Sequence, residues 1–166
     1  MIKTIVLTLG LLAATAPTAM AQKLGHIDRQ QLMLMLPERQ EAETKMRAFA
    51  EELDKRLRAM GTEYEQAVTT FQNKQASMTN TERDMSLREI QELEQRIQAA
   101  QQKAQEDLAK QEEELLRPMV ERTNKAIREV ADAGGYTYIF DTSAGFVLYW
   151  DKGDDILPKV KTKLGI

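Results

Sequence analysis

The sequence contains no cysteine, so disulfide stapling, thiolate nucleophiles and sulfur-held metals are all excluded. It has one histidine, His26, with no serine or cysteine motif around it, which leaves no nucleophile and base pair for catalysis. No glycine-rich phosphate loop is present. Aromatics make up only 5% of the chain, and 166 residues include just four prolines and eight glycines. Basic residues are not in excess: 23 Lys and Arg stand against 26 Asp and Glu, a formal charge of -3. With no basic stripe to neutralise phosphates, a nucleic-acid partner is not expected. Asp151, Asp154 and Asp155 lie near Gly153 but lack the loop length and closing Glu of an EF-hand, so the segment reads as a turn. The reading is a protein that is not an enzyme and needs no cofactor or metal.

What is present is helix-forming sequence. From about Glu38 to Ala133, only Gly61 and Pro118 interrupt good helix formers. Met46, Phe49, Leu53, Leu57, Met60, Tyr64, Val68 and Phe71 recur at spacings of three and four, as do Ile90, Leu93, Ile97, Ala100, Ala104, Leu108 and Leu115. Two arms of about forty residues would each be about 60 Å long at roughly 1.5 Å per residue. The arms break around Ser77–Thr81. Thr79 and Glu82 have capping-box spacing, with Thr81 and Asp84 as a competing choice. So short a connection returns the arms antiparallel. Charges of alternating sign between the apolar positions describe a solvated face. Gly61 is a candidate hinge, and Pro118 is expected to kink or restart the second helix.

The ends differ in composition. Met1-Ile2-Lys3, the apolar stretch Ile5–Ala14 and Ala19-Met20-Ala21 read as a secretory signal peptide over residues 1–21, cut after Ala21. Loss of Lys3 takes the formal charge from -3 to -4. Lys23–Asp28 reads as a strand. Gly134-Gly135 is a helix stop. Tyr136–Phe140 and Phe146–Trp150 read as two strands of a hairpin turning through Asp141–Gly145, and Ile156–Leu164 reads as a closing helix. The expected fold is α+β. A long antiparallel hairpin over 38–117, with its tip near 76–82, is inserted into a small β-rich head built from 22–37 and 118–166. Such a head has a meagre core and bare sheet edges, which favours self-association.

The Lys23–Asp28 strand, the arms with Arg117-Pro118, the block Gly135-Tyr136-Thr137-Tyr138-Ile139-Phe140-Asp141 and the terminal Lys163-Leu164-Gly165-Ile166 resemble the Skp (OmpH-like) periplasmic chaperones. The resemblance runs through essentially the whole mature chain. It implies a homotrimer whose three heads close a β-barrel and whose helical hairpins surround a cavity. It also implies an ATP-independent holdase for unfolded outer-membrane proteins in the periplasm of a Gram-negative bacterium. Met60, Tyr64, Val68, Phe71, Met78 and Met85 are the expected client-contact residues, Met being adaptable on promiscuous surfaces. Ile27, Tyr138, Phe140, Phe146, Leu148 and Trp150 are the expected oligomerisation residues. Skp-like arms are often basic, whereas this chain has a sequence pI near 5.4, so weak or no attraction to membrane surfaces is expected. A rival reading is a coiled-coil structural or adaptor protein of the cell envelope. Thr62, Gln66, Gln101 and Gln111 interrupt the seam that a fixed zipper would need.

Overall fold

A computed structural model describes residues 22–166. The expected signal peptide and its cleavage after Ala21 lie outside the described residues. Strand β1 (Leu24–Ile27) is followed by a short helix α1 (Arg29–Leu34) and the two long helices α2 (Glu38–Lys74) and α3 (Asn80–Gly134). Strands β2 (Tyr138–Asp141) and β3 (Asp154–Asp155) and the closing helix α4 (Leu157–Leu164) complete the chain.

Each boundary has a local cause. Thr79 caps α3: its hydroxyl accepts the Glu82 amide at 3.3 Å, and Glu82 Oε2 accepts the Thr79 amide at 2.7 Å. The capping box therefore forms at the first of the two choices. Gly135 ends α3 at φ +65°, a backbone that favours glycine. Its amide donates to Asp132 and that of Tyr136 to Ala131, the paired bonds of a Schellman stop. Gly165 ends α4 in the same way.

Helix α3 runs through Pro118 without a break. Of the kink or restart expected there, the restart is absent, and residues 118–134 are helical. Proline removes one amide donor from the ladder. Immediately beyond it, buried Met119, Thr123 and Ala126 pin the helix to the core. Thr123 also donates its hydroxyl to the Met119 carbonyl at 2.9 Å. Helix α1 was not expected. Asp28 caps it by accepting the Gln31 amide at 2.8 Å, converting the strand's last residue into a helix start.

The sheet order is β2-β1-β3, and both pairings are parallel, with Leu24 opposite Tyr138 and His26 opposite Phe140. The expected hairpin of Tyr136–Phe140 with Phe146–Trp150 is therefore corrected. Residues 146–150 form no strand. Parallel neighbours need a long crossover, and here the whole helical excursion serves as one. The outer edge of β2 stays unpaired, and Phe146–Trp150 passes over the sheet's outer face, beside Leu24, His26 and Phe140, instead of joining it.

The core lies at the hairpin's root. Ile27, Leu32, Leu36, Met119, Ala126, Ile156, Val160 and Leu164 pack together there, joining the inner sheet face to α1, α3 and α4. Along the shaft the fully buried large side chain is Leu93, at 1% exposure. A shaft so thin leaves its other large apolar positions only partly covered.

Candidate functional site

The six residues expected to meet clients divide into two places. Met60, Tyr64, Val68 and Phe71 lie on the seam between α2 and α3 and are half-buried. Two helices can cover only one side of such a stripe, so each side chain keeps an open flank. Phe71 shares a cleft of about 270 Å³ with Ala67, Thr70 and Leu93. Met78 and Met85 come together at the tip, where they line a depression of about 460 Å³ with Lys74, Glu82 and Glu89. Met85 is 65% exposed. Beside it, exposed Leu87 was missed in the sequence, where its spacing of three from Ile90 does not reveal that it lies open at the tip.

The tip is stiffened by its own hydrogen bonds. Arg83 Nη2 donates to the Gln75 carbonyl at 2.9 Å, placing a cation at the C-terminal end of α2, where the helix dipole favours it. The Thr79 amide and hydroxyl hold the Glu82 carboxyl below its usual range. The apolar tip residues are thus presented on a fixed turn.

The shaft's exterior is covered by ion pairs one turn apart, including Lys45 with Glu41 at 2.7 Å, Arg58 with Asp54 at 2.8 Å and Lys103 with Asp107 at 2.7 Å. Exposed pairs of this kind are screened by solvent and add little to stability. Between the arms, Arg96 and Glu63 approach to 3.6 Å. At the root, Met33, Met46, Leu115, Leu116 and Met119 line a groove of about 530 Å³, which sequence spacing alone did not separate from the core.

The head carries a second apolar surface. Tyr138 and Phe140 alternate outward from β2, their rings stacked with centroids 6.2 Å apart. Leu24 joins them on the same face. Phe146 and Leu148 stand 90% and 91% exposed, and Tyr149 and Trp150 are also exposed. The segment 146–153 roofs a hollow of about 690 Å³ over Leu24, His26 and Phe140. Five of the six expected oligomerisation residues therefore lie at the surface. Ile27 does not: at 1% exposure it faces the chain's own core, because strand alternation sends it opposite to Leu24 and His26. It is withdrawn from the interface set.

Among the described residues, no group of three or more His, Asp or Glu side chains is placed to hold a metal ion. Among them, too, no helix is long and apolar enough to cross a membrane.

A family model described as outer membrane protein (OmpH-like) matches residues 23–164. A crystal structure of a candidate outer membrane chaperone (OmpH-like) from Caulobacter crescentus CB15 superposes with a TM-score of 0.71. That match covers 86% of this chain and 83% of the other at 14% sequence identity, a likeness of fold alone. No curated protein matches the sequence.

Proposed function

The chain belongs to the outer membrane protein (OmpH-like) family, and from that premise we propose that it is an ATP-independent holdase for unfolded outer-membrane proteins in the bacterial periplasm. The observation that carries the reading is the one-sided cover of the shaft: Met60, Tyr64, Val68 and Phe71 keep open flanks along a polar rod that ends in exposed Met85 and Leu87. Scattered, partly open apolar groups give many weak contacts. Such contacts hold a chain without fixing its shape, and they let it go without fuel. A protein that binds the unfolded state draws it away from aggregation by mass action.

The exposed sheet face supports self-association, and the proposal takes the assembly to be a homotrimer with its heads joined and its hairpins around a cavity. Leu24, Tyr138, Phe140, Phe146, Leu148 and Trp150 would be covered there. A contiguous apolar surface of this kind on a soluble chain marks an interaction site. Residues 1–21 are proposed to direct export and to be removed after Ala21.

The test is mass measurement of the mature protein, alone and with an unfolded outer-membrane barrel, alongside aggregation assays without nucleotide. Protection of several unrelated barrels by an oligomer is the expected result. Stoichiometric capture of one folded partner, with no protection of unfolded ones, would replace the holdase with an adaptor.

A further inference from the structure

The chain has no cysteine, so an oxidant directed at sulfur meets only thioethers, and seven of the nine methionines lie among the described residues. They are far from equivalent. Met119 is 3% exposed in the core at the root. Met33 Sδ accepts the Thr123 hydroxyl at 3.9 Å, which engages that sulfur against α3. Met46, Met60 and Met78 are half-buried. Met35 follows the end of α1 at 39% exposure, and Met85, on the second turn of α3, stands most open of the seven at 65%. We propose that Met85 is an oxidant-responsive switch: a hydroperoxide converts its thioether to the sulfoxide, and the tip loses its apolar hold on clients.

The step balances with the oxidant alone. A sulfur lone pair attacks the terminal peroxide oxygen, and the S–O bond forms as the O–O bond breaks. The proton on the transferred oxygen passes to the leaving hydroxide or alkoxide, which departs as water or an alcohol. Sulfur gives up two electrons and the peroxide takes them. A flexible apolar side chain becomes a polar, chiral one.

The surroundings suit that product. Lys74 and Ser86 line the same depression as Met78 and Met85, offering an ammonium and a hydroxyl to a sulfoxide oxygen. The thioether, a weak acceptor, draws little from either donor. Oxidation thus replaces an apolar contact with a group satisfied by its own tip. The turn itself holds, because the Thr79–Glu82 box and the bond from Arg83 to the Gln75 carbonyl involve no sulfur. The loss of hold rests on the holdase reading, whereas the selectivity of the oxidation does not.

Limited hydrogen peroxide treatment of the full mature chain, stopped at about one added oxygen per chain and mapped by peptide mass spectrometry, tests the site. Met85 is expected to be oxidised first, ahead of Met35, and Met119 last. The treated protein is expected to protect unfolded barrels severalfold less than before, with circular dichroism and oligomer mass unaltered. Methionine sulfoxide reductase is expected to restore the protection. Met85→Leu, compared with itself before and after the same treatment, is expected to lose nothing further. Another methionine oxidised ahead of Met85, undiminished protection after treatment, an equal loss in Met85→Leu, or a loss the reductase does not reverse would each overturn the switch. Untreated protein that protects no barrel, with Met85 still oxidised first, would instead refute the holdase reading while the modification site stands.

Discussion

Tyr136 donates its hydroxyl proton to Asp154 across 2.8 Å, joining the residue beyond α3's glycine stop to β3. The same oxygen accepts from Lys159 of α4 at 2.8 Å, and Lys23 Nζ lies 4.2 Å from the ring centroid. One side chain thus gathers both ends of the described chain onto the end of the long helix.

This junction makes acid stability depend on Tyr136. The Tyr136 hydrogen bond is the largest influence holding the Asp154 carboxyl below its usual range, with Lys23 and Lys159 adding to it. A carboxylate depressed in the folded state stabilises above its unfolded pKa of about 3.9, and that contribution disappears as pH falls through the folded value. Tyr136→Phe is therefore expected to lower the urea midpoint near neutral pH. The gap from wild type should narrow as pH falls through the depressed folded value, once the carboxylate is protonated in both. A gap independent of pH would show that the hydroxyl acts by packing alone.

Thr79→Ala should fray the tip. Loss of an N-cap costs about 1 kcal/mol, and here it also frees the Glu82 carboxylate. Hydrogen exchange should accelerate at the start of α3 while Leu93 and the root stay protected.

Gly61 faces open space: a Cβ there meets no atom within 4 Å. Gly61→Ala should stabilise α2 by up to about 1 kcal/mol, read from thermal unfolding. The glycine's proposed part as a hinge is tested separately, by client size. The alanine variant should lose its largest clients first, and an unchanged size range would remove the hinge.

Met85 and Leu87 should matter to clients far more than to folding. Replacing both with Gln is expected to weaken protection of unfolded barrels severalfold while circular dichroism and mass stay as in wild type, since neither side chain is buried. Added salt should change client binding little, because the contacts are apolar. A steep loss of binding at moderate salt would point to charge as the driving term.

Much of this architecture is legible along the chain because its causes are local. Thr79 with Glu82, Gly135 before Tyr136, and the apolar spacing of Ile156, Val160 and Leu164 each act within one or two helical turns. The errors fall where the cause lies far away in sequence. Phe146–Trp150 is made of strand-forming residues, but propensity does not reveal whether the segment pairs within the chain. Ile27 illustrates parity: alternation separates Gly25 and Ile27 from Leu24 and His26, yet nothing within four residues says which side meets the core. Asp28 can end a strand or begin a helix, and the helix it begins is stabilised by Leu32 burying against distant α3 and α4. Of the kink or restart expected at Pro118, the restart is absent: proline's local cost is plain in the sequence, while the anchoring of Met119, Thr123 and Ala126 is tertiary.

The parallel pairing of Leu24 with Tyr138 bears on how the molecule is born. More than a hundred residues separate the two strands, so the first must wait, bare and unmatched, while nearly everything else is delivered. Closing so long a loop is a late and slow event in a nascent polypeptide, whereas the helical rods can zip up early. The rods should accordingly exist before there is any cap to hold them, and during that interval the newborn chain is itself the kind of unfinished strand that needs protection.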